Sequence, residues 1–118
     1  MDQVATGYKY LISNNIVHRD IKPDNILKHE NTWKIADFGF AVRNSSSFTS
    51  YLNVGTPLYM PLEALLRNEY SFKSDIFALG VTFYQMIHGE TPWPCRSELE
   101  LIERLKKESL VISSHINN

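Results

Sequence analysis

Two carboxylates, an ammonium group and a carboxamide stand close together early in the chain. Asp20, Lys22 and Asn25 belong to the string His18-Arg19-Asp20-Ile21-Lys22-Pro23-Asp24-Asn25, and Asp37 opens Asp37-Phe38-Gly39. A carboxylate can take a proton from a hydroxyl, and an ammonium group can neutralise charge that develops in a transition state. Carboxamide and carboxylate oxygens are the hard donors that Mg²⁺ requires. Any one of these residues alone is ordinary turn or cap material. It is the set, at this spacing, that favours the chemical reading.

The pattern H-R-D-x-K-x-x-N, followed after two short β-prone pieces by D-F-G, resembles the eukaryotic protein kinase family, of the Ser/Thr type. The resemblance implies transfer of the ATP γ-phosphoryl group to Ser or Thr of a protein substrate, with Mg²⁺ as cofactor. Such a reaction asks for an in-line hydroxyl and neutralised phosphate charge, and little covalent chemistry from the protein. On this reading Asp20 is the base and Lys22 sits beside the transferring group, a lysine typical of Ser/Thr-directed members. Asn25 and Asp37 hold the metal and through it the nucleotide phosphates. Leu27, which reads as core by residue type, matches the floor of the adenine pocket. His18 and Phe38 pack together in an apolar spine.

Further matches lie downstream. Gly55-Thr56-Pro57-Leu58-Tyr59-Met60 resembles the loop that receives the substrate residue after the phosphoacceptor, with Thr56 bonding toward Asp20 and Lys22. Ser74-Asp75-Ile76-Phe77-Ala78-Leu79-Gly80 resembles the start of the family's central helix, where an aspartate accepts hydrogen bonds from catalytic-loop N–H groups. Asp75 takes that place, and it also suits the positive end of a helix dipole. Thr82 and Met86 fall on the adenine-side spine. Arg19 matches an arginine that receives an activation-segment phosphate, and Thr49 and Ser50 are the candidate phosphorylation sites. The position most often modified in relatives is Leu52 here. Asp24 favours a basic residue before the phosphoacceptor, whereas Gln85 supplies no second anion. Asp37-Phe38-Gly39-Phe40-Ala41 is similar to the calmodulin-dependent and autophagy-initiating members.

The pattern also departs from the family. Where A-P-E is usual, the chain has Pro61-Leu62-Glu63, so the helix there is expected to start differently and to shift Met60. Glu63 finds no arginine after Lys107 to pair with. Nothing matches the Gly-rich loop, strand lysine, helix glutamate or hinge of an N-lobe. The expected fold is therefore mainly α with short β-strands, a protein-kinase-like C-lobe fragment over residues 1–107 with a tail at 108–118. Apolar surface around Leu27, His18 and Phe38 should then face water, which implies marginal stability or a partner chain that covers it.

Positioning these groups requires a scaffold, and the hydrophobic spacing predicts one. Val4, Tyr8, Leu11 and Ile12 recur at helical intervals over residues 1–13. Ile16-Val17, Ile26-Leu27 and Trp33-Lys34-Ile35 read as short strands, and residues 43–53 as a Ser/Thr-rich surface loop. Ser74 to His88 is apolar nearly all round, as a buried helix ended by Gly89 would be. Ser97 caps an amphipathic helix through Leu99, Ile102 and Leu105 to about Lys107. The 118 residues carry a net charge of −1, with 12 basic and 13 acidic side chains and no basic patch, which points away from nucleic acid. One cysteine, Cys95, excludes an internal disulfide. No run approaches the roughly 18 apolar residues of a membrane helix, and no targeting signal appears, so a cytoplasmic location is the default. The rival reading is a kinase-like module without catalysis that binds partners through Leu99, Ile102 and Leu105.

Overall fold

The computed structural model describes residues 2–43 and 55–107. Thr49, Ser50 and the expected tail fall outside the described residues. Helix α1 (Asp2–Ser13) buries Val4, Tyr8 and Leu11, the i, i+4, i+7 stripe its spacing predicts. It stops where Asn15 takes a left-handed φ of 60°, a conformation Asn tolerates better than most residues.

Four short strands come after α1. β1 (Ile16–Val17) pairs antiparallel with β4 (Val42–Arg43), and β2 (Ile26–His29) pairs antiparallel with β3 (Thr32–Ile35). A 3₁₀ turn at Pro23–Asn25 lies between β1 and β2, and a second at Pro57–Tyr59 precedes α2 (Leu62–Arg67). The pairing of β4 departs from the surface loop expected at residue 43, since Ile16 faces Arg43 and Val17 faces Val42.

The long helix α3 (Phe72–His88) starts two residues before the expected position. Ser71 is its cap: the Ser71 hydroxyl accepts the Lys73 N–H at 3.1 Å, and the Ser74 hydroxyl accepts the Ser71 N–H at 2.9 Å. That reciprocal pair satisfies two otherwise orphaned donors. Gly89 ends the helix at φ 83°, donating its N–H to the Gln85 carbonyl at 2.8 Å. The helix is not buried all round, because Ile76, Met86 and Ile87 are exposed. Thr82, by contrast, is fully buried.

Ser97 caps α4 (Glu98–Lys107) by accepting the Glu100 N–H at 3.1 Å. Leu101 on α4 is buried with Val81 and Trp93, and Trp93 stacks on Phe77 at 5.9 Å with the rings 4° from parallel. The core that matters for the site joins α1 to α3 through the loop between them: Val4, Tyr8, Leu11, Ile21, Ile26, Ala78 and Leu79 form one buried cluster. The architecture is mainly helical with short strands, compatible with a protein-kinase-like fragment.

Pro61 does not disturb its helix. It occupies the cap position of α2 at φ −75°, where no intrahelical N–H is needed, and its carbonyl accepts from Ala64 and Leu65. Met60 accordingly packs against Val17, Ala64 and Tyr70. Glu63 lines an open groove of about 430 Å³ with Lys73, Phe77, Trp93 and Leu105, and no ion pair reaches it among the described residues.

Candidate active site

The segment from His18 to Asn25 crosses the junction of α1 and α3 and is tied down by a buried carboxylate. Asp75, in the first turn of α3, accepts the His18 N–H at 2.7 Å on Oδ2 and the Arg19 N–H at 3.0 Å on Oδ1. These amides cannot join a regular ladder, because Arg19 stands at φ 74°. A side-chain acceptor replaces the backbone partner such a bend would otherwise lose. Burial pushes the Asp75 carboxyl above its ordinary range, and hydrogen bonds from His18, Arg19 and Tyr8 oppose that shift.

His18 carries the constraint inward. Its Nδ1 accepts the Asp20 N–H at 3.1 Å, so Nε2 is the protonated nitrogen and donates to the Ala36 carbonyl at 2.9 Å. One ring thus links the loop to the end of β3. His18 is 0% exposed, so of the three residues around which apolar surface is expected to face water it is the enclosed one. The Phe38 ring edge lies over it at 5.1 Å and 62°. Phe38 itself is 49% exposed and Leu27 53%. Leu27 is therefore not a core residue: it pairs with Lys34 across the hairpin and points outward.

Asp20, Lys22 and Thr56 meet at one point. The Thr56 hydroxyl donates to Asp20 Oδ1 at 3.1 Å and accepts from Lys22 Nζ at 2.9 Å, while Lys22 Nζ lies 3.9 Å from Asp20 Oδ2. Asp20 is 9% exposed. Asn25, also buried, donates its amide hydrogens to the Asp20 carbonyl at 2.7 Å and to Asp20 Oδ2 at 3.2 Å. That fixes the orientation of the amide and leaves Oδ1 as the oxygen available to a cation. The backbone joins in, since the Ala36 N–H reaches the Asn25 carbonyl at 2.7 Å. Asp37 stands beyond it at φ 58° with an exposed carboxylate, one oxygen of which accepts the Gly39 N–H at 3.2 Å.

Asn25 and Asp37 fit Mg²⁺ in kind: one carboxamide and one carboxylate oxygen, with the remaining positions left to phosphate and water. No cluster of three or more His, Cys, Asp or Glu that could hold a metal occurs among the described residues.

Arg19 reaches the Phe40 backbone and the Tyr70 ring. Its Nε donates to the Phe40 carbonyl at 2.6 Å, and its guanidinium lies over the Tyr70 ring at 5.3 Å. Tyr59 donates to Gln85 Oε1 at 2.6 Å, and burial together with the nearby Asp24 charge raises its pKa. Met86, expected on a spine with Thr82, is exposed, whereas Thr82 one turn before it is fully buried. Cys95 packs beside Trp93 and Leu101, where burial pushes its thiol pKa up and away from nucleophilic chemistry.

Two contributors escape a reading of the sequence alone. Gly55 holds φ 93°, and a Cβ there would stand 2.6 Å from the Arg19 carbonyl oxygen and 2.8 Å from the Met60 methyl. Glycine alone lets Thr56 come down onto Asp20. Its signal is a glycine just before Thr-Pro, but nothing local names the Arg19 carbonyl as its neighbour. Tyr8 is the other, and its hydroxyl donates to Asp75 Oδ2 at 2.9 Å.

Comparison with known proteins agrees with this geometry. The family model for the protein kinase domain matches residues 1–117. The chain is 37% identical over its whole length to serine/threonine-protein kinase atg1 of Dictyostelium discoideum, covering 18% of that protein. It is 38% identical over 98% of its length to an Aurora kinase of Debaryomyces hansenii, covering 29% of it. With serine/threonine-protein kinase shk1/pak1 of Schizosaccharomyces pombe it shares 44% identity over 77% of its length, covering 14% of that protein. The chain thus spans less than a third of each of these relatives. With the motifs, the hydrogen-bonded loop and the family match in agreement, the chain belongs to the protein kinase domain family.

Proposed function

We propose that this chain carries the catalytic loop and substrate-facing half of a protein serine/threonine kinase domain. The protein built on it would move the ATP γ-phosphoryl group to Ser or Thr hydroxyls of protein substrates. The observation that supports this best is the meeting of Asp20, Lys22 and Thr56 within 3.9 Å. A substrate hydroxyl beside Asp20 gives up its proton to that carboxylate. Its oxygen bonds to the γ-phosphorus as the bond from phosphorus to the bridging oxygen breaks, and ADP leaves. Lys22 offsets the charge spread over the equatorial oxygens. Mg²⁺, when held by Asn25 Oδ1 and Asp37, supplies Lewis-acid neutralisation of the phosphates. Leu27 and Phe38 offer an apolar face suited to the nucleotide side, and Thr56 supports Ser/Thr specificity by tying base and ammonium together.

The rival binding role for α4 has less support. Leu99 is 68% exposed, but Ile102 and Leu105 are half-buried, and Leu105 packs against the chain's own Trp93 cluster. A single exposed leucine is not a docking patch.

The test uses the complete product of the transcript that carries this sequence, incubated with Mg²⁺, γ-labelled ATP and a mixture of Ser-, Thr- and Tyr-containing peptides. Label on phosphoserine or phosphothreonine that disappears with a chelator supports the reading. Absence of transfer, or label only on tyrosine, overturns it.

A further inference from the structure

Tyr8 reads in sequence as one more apolar position of α1, and its ring does pack among Leu11, Ile21, Ala78 and Leu79. A phenylalanine would fill that slot equally well. The hydroxyl is what needs explaining, because a buried phenol must find an acceptor. Here it finds Asp75 Oδ2 at 2.9 Å, the same oxygen that accepts the His18 N–H at 2.7 Å. The alternative acceptor, the Phe72 carbonyl, is at 3.5 Å, the limit of a hydrogen bond. Tyr8 is 2% and Asp75 1% exposed, so bulk water does not replace the hydroxyl if it is removed.

We infer that Tyr8 is a positioning residue for phosphoryl transfer: its hydroxyl stabilises the charged Asp75 carboxylate, which holds the His18 and Arg19 amides and through them Asp20. This inference rests on the kinase reading above. The line of contact is continuous. Tyr8 on α1 meets Asp75 on α3, Asp75 takes the two loop amides, and His18 Nδ1 takes the Asp20 N–H. The groups facing Asp75 are Tyr8 from α1 and His18 and Arg19 from the loop, with Tyr70 next to Arg19. Burial favours the protonated carboxyl, and the Tyr8 hydroxyl is one of three donors that favour the charged one. A protonated Asp75 would have a hydroxyl where a loop amide needs an acceptor.

The test compares wild type with Tyr8→Phe in the complete product of the same transcript. The expected result is a fall in kcat of about tenfold, the scale set by one buried hydrogen bond to a charged group. KM for Mg-ATP should stay within about twofold, and the acid limb of the kcat profile should move to higher pH, because Asp75 loses a donor to its charged form. A kcat and acid limb equal to wild type overturn the inference. Carbon-13 titration of the Asp75 carboxyl separates this outcome from failure of the kinase reading. Even in a protein that transfers no phosphate, the midpoint should rise in Tyr8→Phe, and an unchanged midpoint overturns the inference. Should Tyr8→Phe not fold, 3-fluorotyrosine at position 8 keeps the ring and makes the phenol a stronger donor. The Asp75 midpoint should then fall, and an unshifted midpoint again overturns the inference.

Discussion

On the helical side of the catalytic loop, Asp20, Asn25 and Asp75 are buried and each is held by hydrogen bonds of 2.7 to 3.2 Å. On the hairpin side, Asp37, Leu27 and Phe38 stand largely in the open, and among the described residues the Asp37 carboxylate is steadied by a single N–H at 3.2 Å. Under the proposed function, the contrast divides the reaction into two kinds of preparation. On the proposed reading, the groups that would handle the substrate hydroxyl are already fixed by the protein, so they would cost little reorganisation. Of the proposed metal pair, Asn25 is fixed with them, while Asp37, Leu27 and Phe38 would owe their final arrangement to what binds there. His18 joins the two sides, with one ring nitrogen on Asp20 and the other on the carbonyl just before Asp37.

Substitutions on the fixed side should hurt in proportion to what they remove. The largest effect is expected from Asp20→Asn, which keeps shape but cannot take a proton. The rate of phosphoryl transfer should fall by about 10² to 10⁴ with KM for Mg-ATP little changed, as read by steady-state kinetics. A rate near wild type would break the assignment of the base. Gly55→Ala comes next, because a Cβ at φ 93° meets the Arg19 carbonyl at 2.6 Å. It should destabilise the fold by about 2 to 3 kcal/mol in a denaturant titration. Thr56→Val removes the hydroxyl between Asp20 and Lys22 and should slow transfer by about tenfold while leaving the melting temperature nearly unchanged.

The smallest effect concerns pH. Burial, then the Asp75 charge and its hydrogen bond, raise the Tyr8 phenol pKa above its ordinary 10.0. The folded protein therefore keeps a proton that the unfolded chain releases. That stability is fully present below about pH 10 and is lost as the pH rises beyond it, at up to about 1.4 kcal/mol per pH unit. Tyr8→Phe should flatten this alkaline slope by up to one proton, which unfolding measured across pH 9 to 12 would check.

Much of the site is legible in the sequence because its residues sit within a few positions of one another. Asp20, Lys22, Asn25 and Asp37 are close in sequence, and the helix ends at Ser97 and Gly89 announce themselves by local turn chemistry. What escapes depends on distant partners. The Tyr8 hydroxyl finds its acceptor 67 residues away, and helical periodicity reports only that the ring is buried. β4 has two residues and exists only because Ile16 and Val17 lie beside it. The expected start of α3 at Ser74 misses the reciprocal cap led by Ser71, in which Ser74 at the third helical position supplies a hydroxyl where a glutamate is more usual. Leu27 defeats the expectation of a core position because its apolar character says nothing about which face of a two-stranded hairpin it occupies.

The claim on which the rest depends is that Asp75 holds the catalytic loop through the His18 and Arg19 amides. Amide hydrogen exchange tests it directly. In wild type these two amides should exchange slowly, and in Asp75→Ala they should exchange much faster, while amides within α4 keep their wild-type rates. Equal protection of His18 and Arg19 in the two proteins would contradict the account.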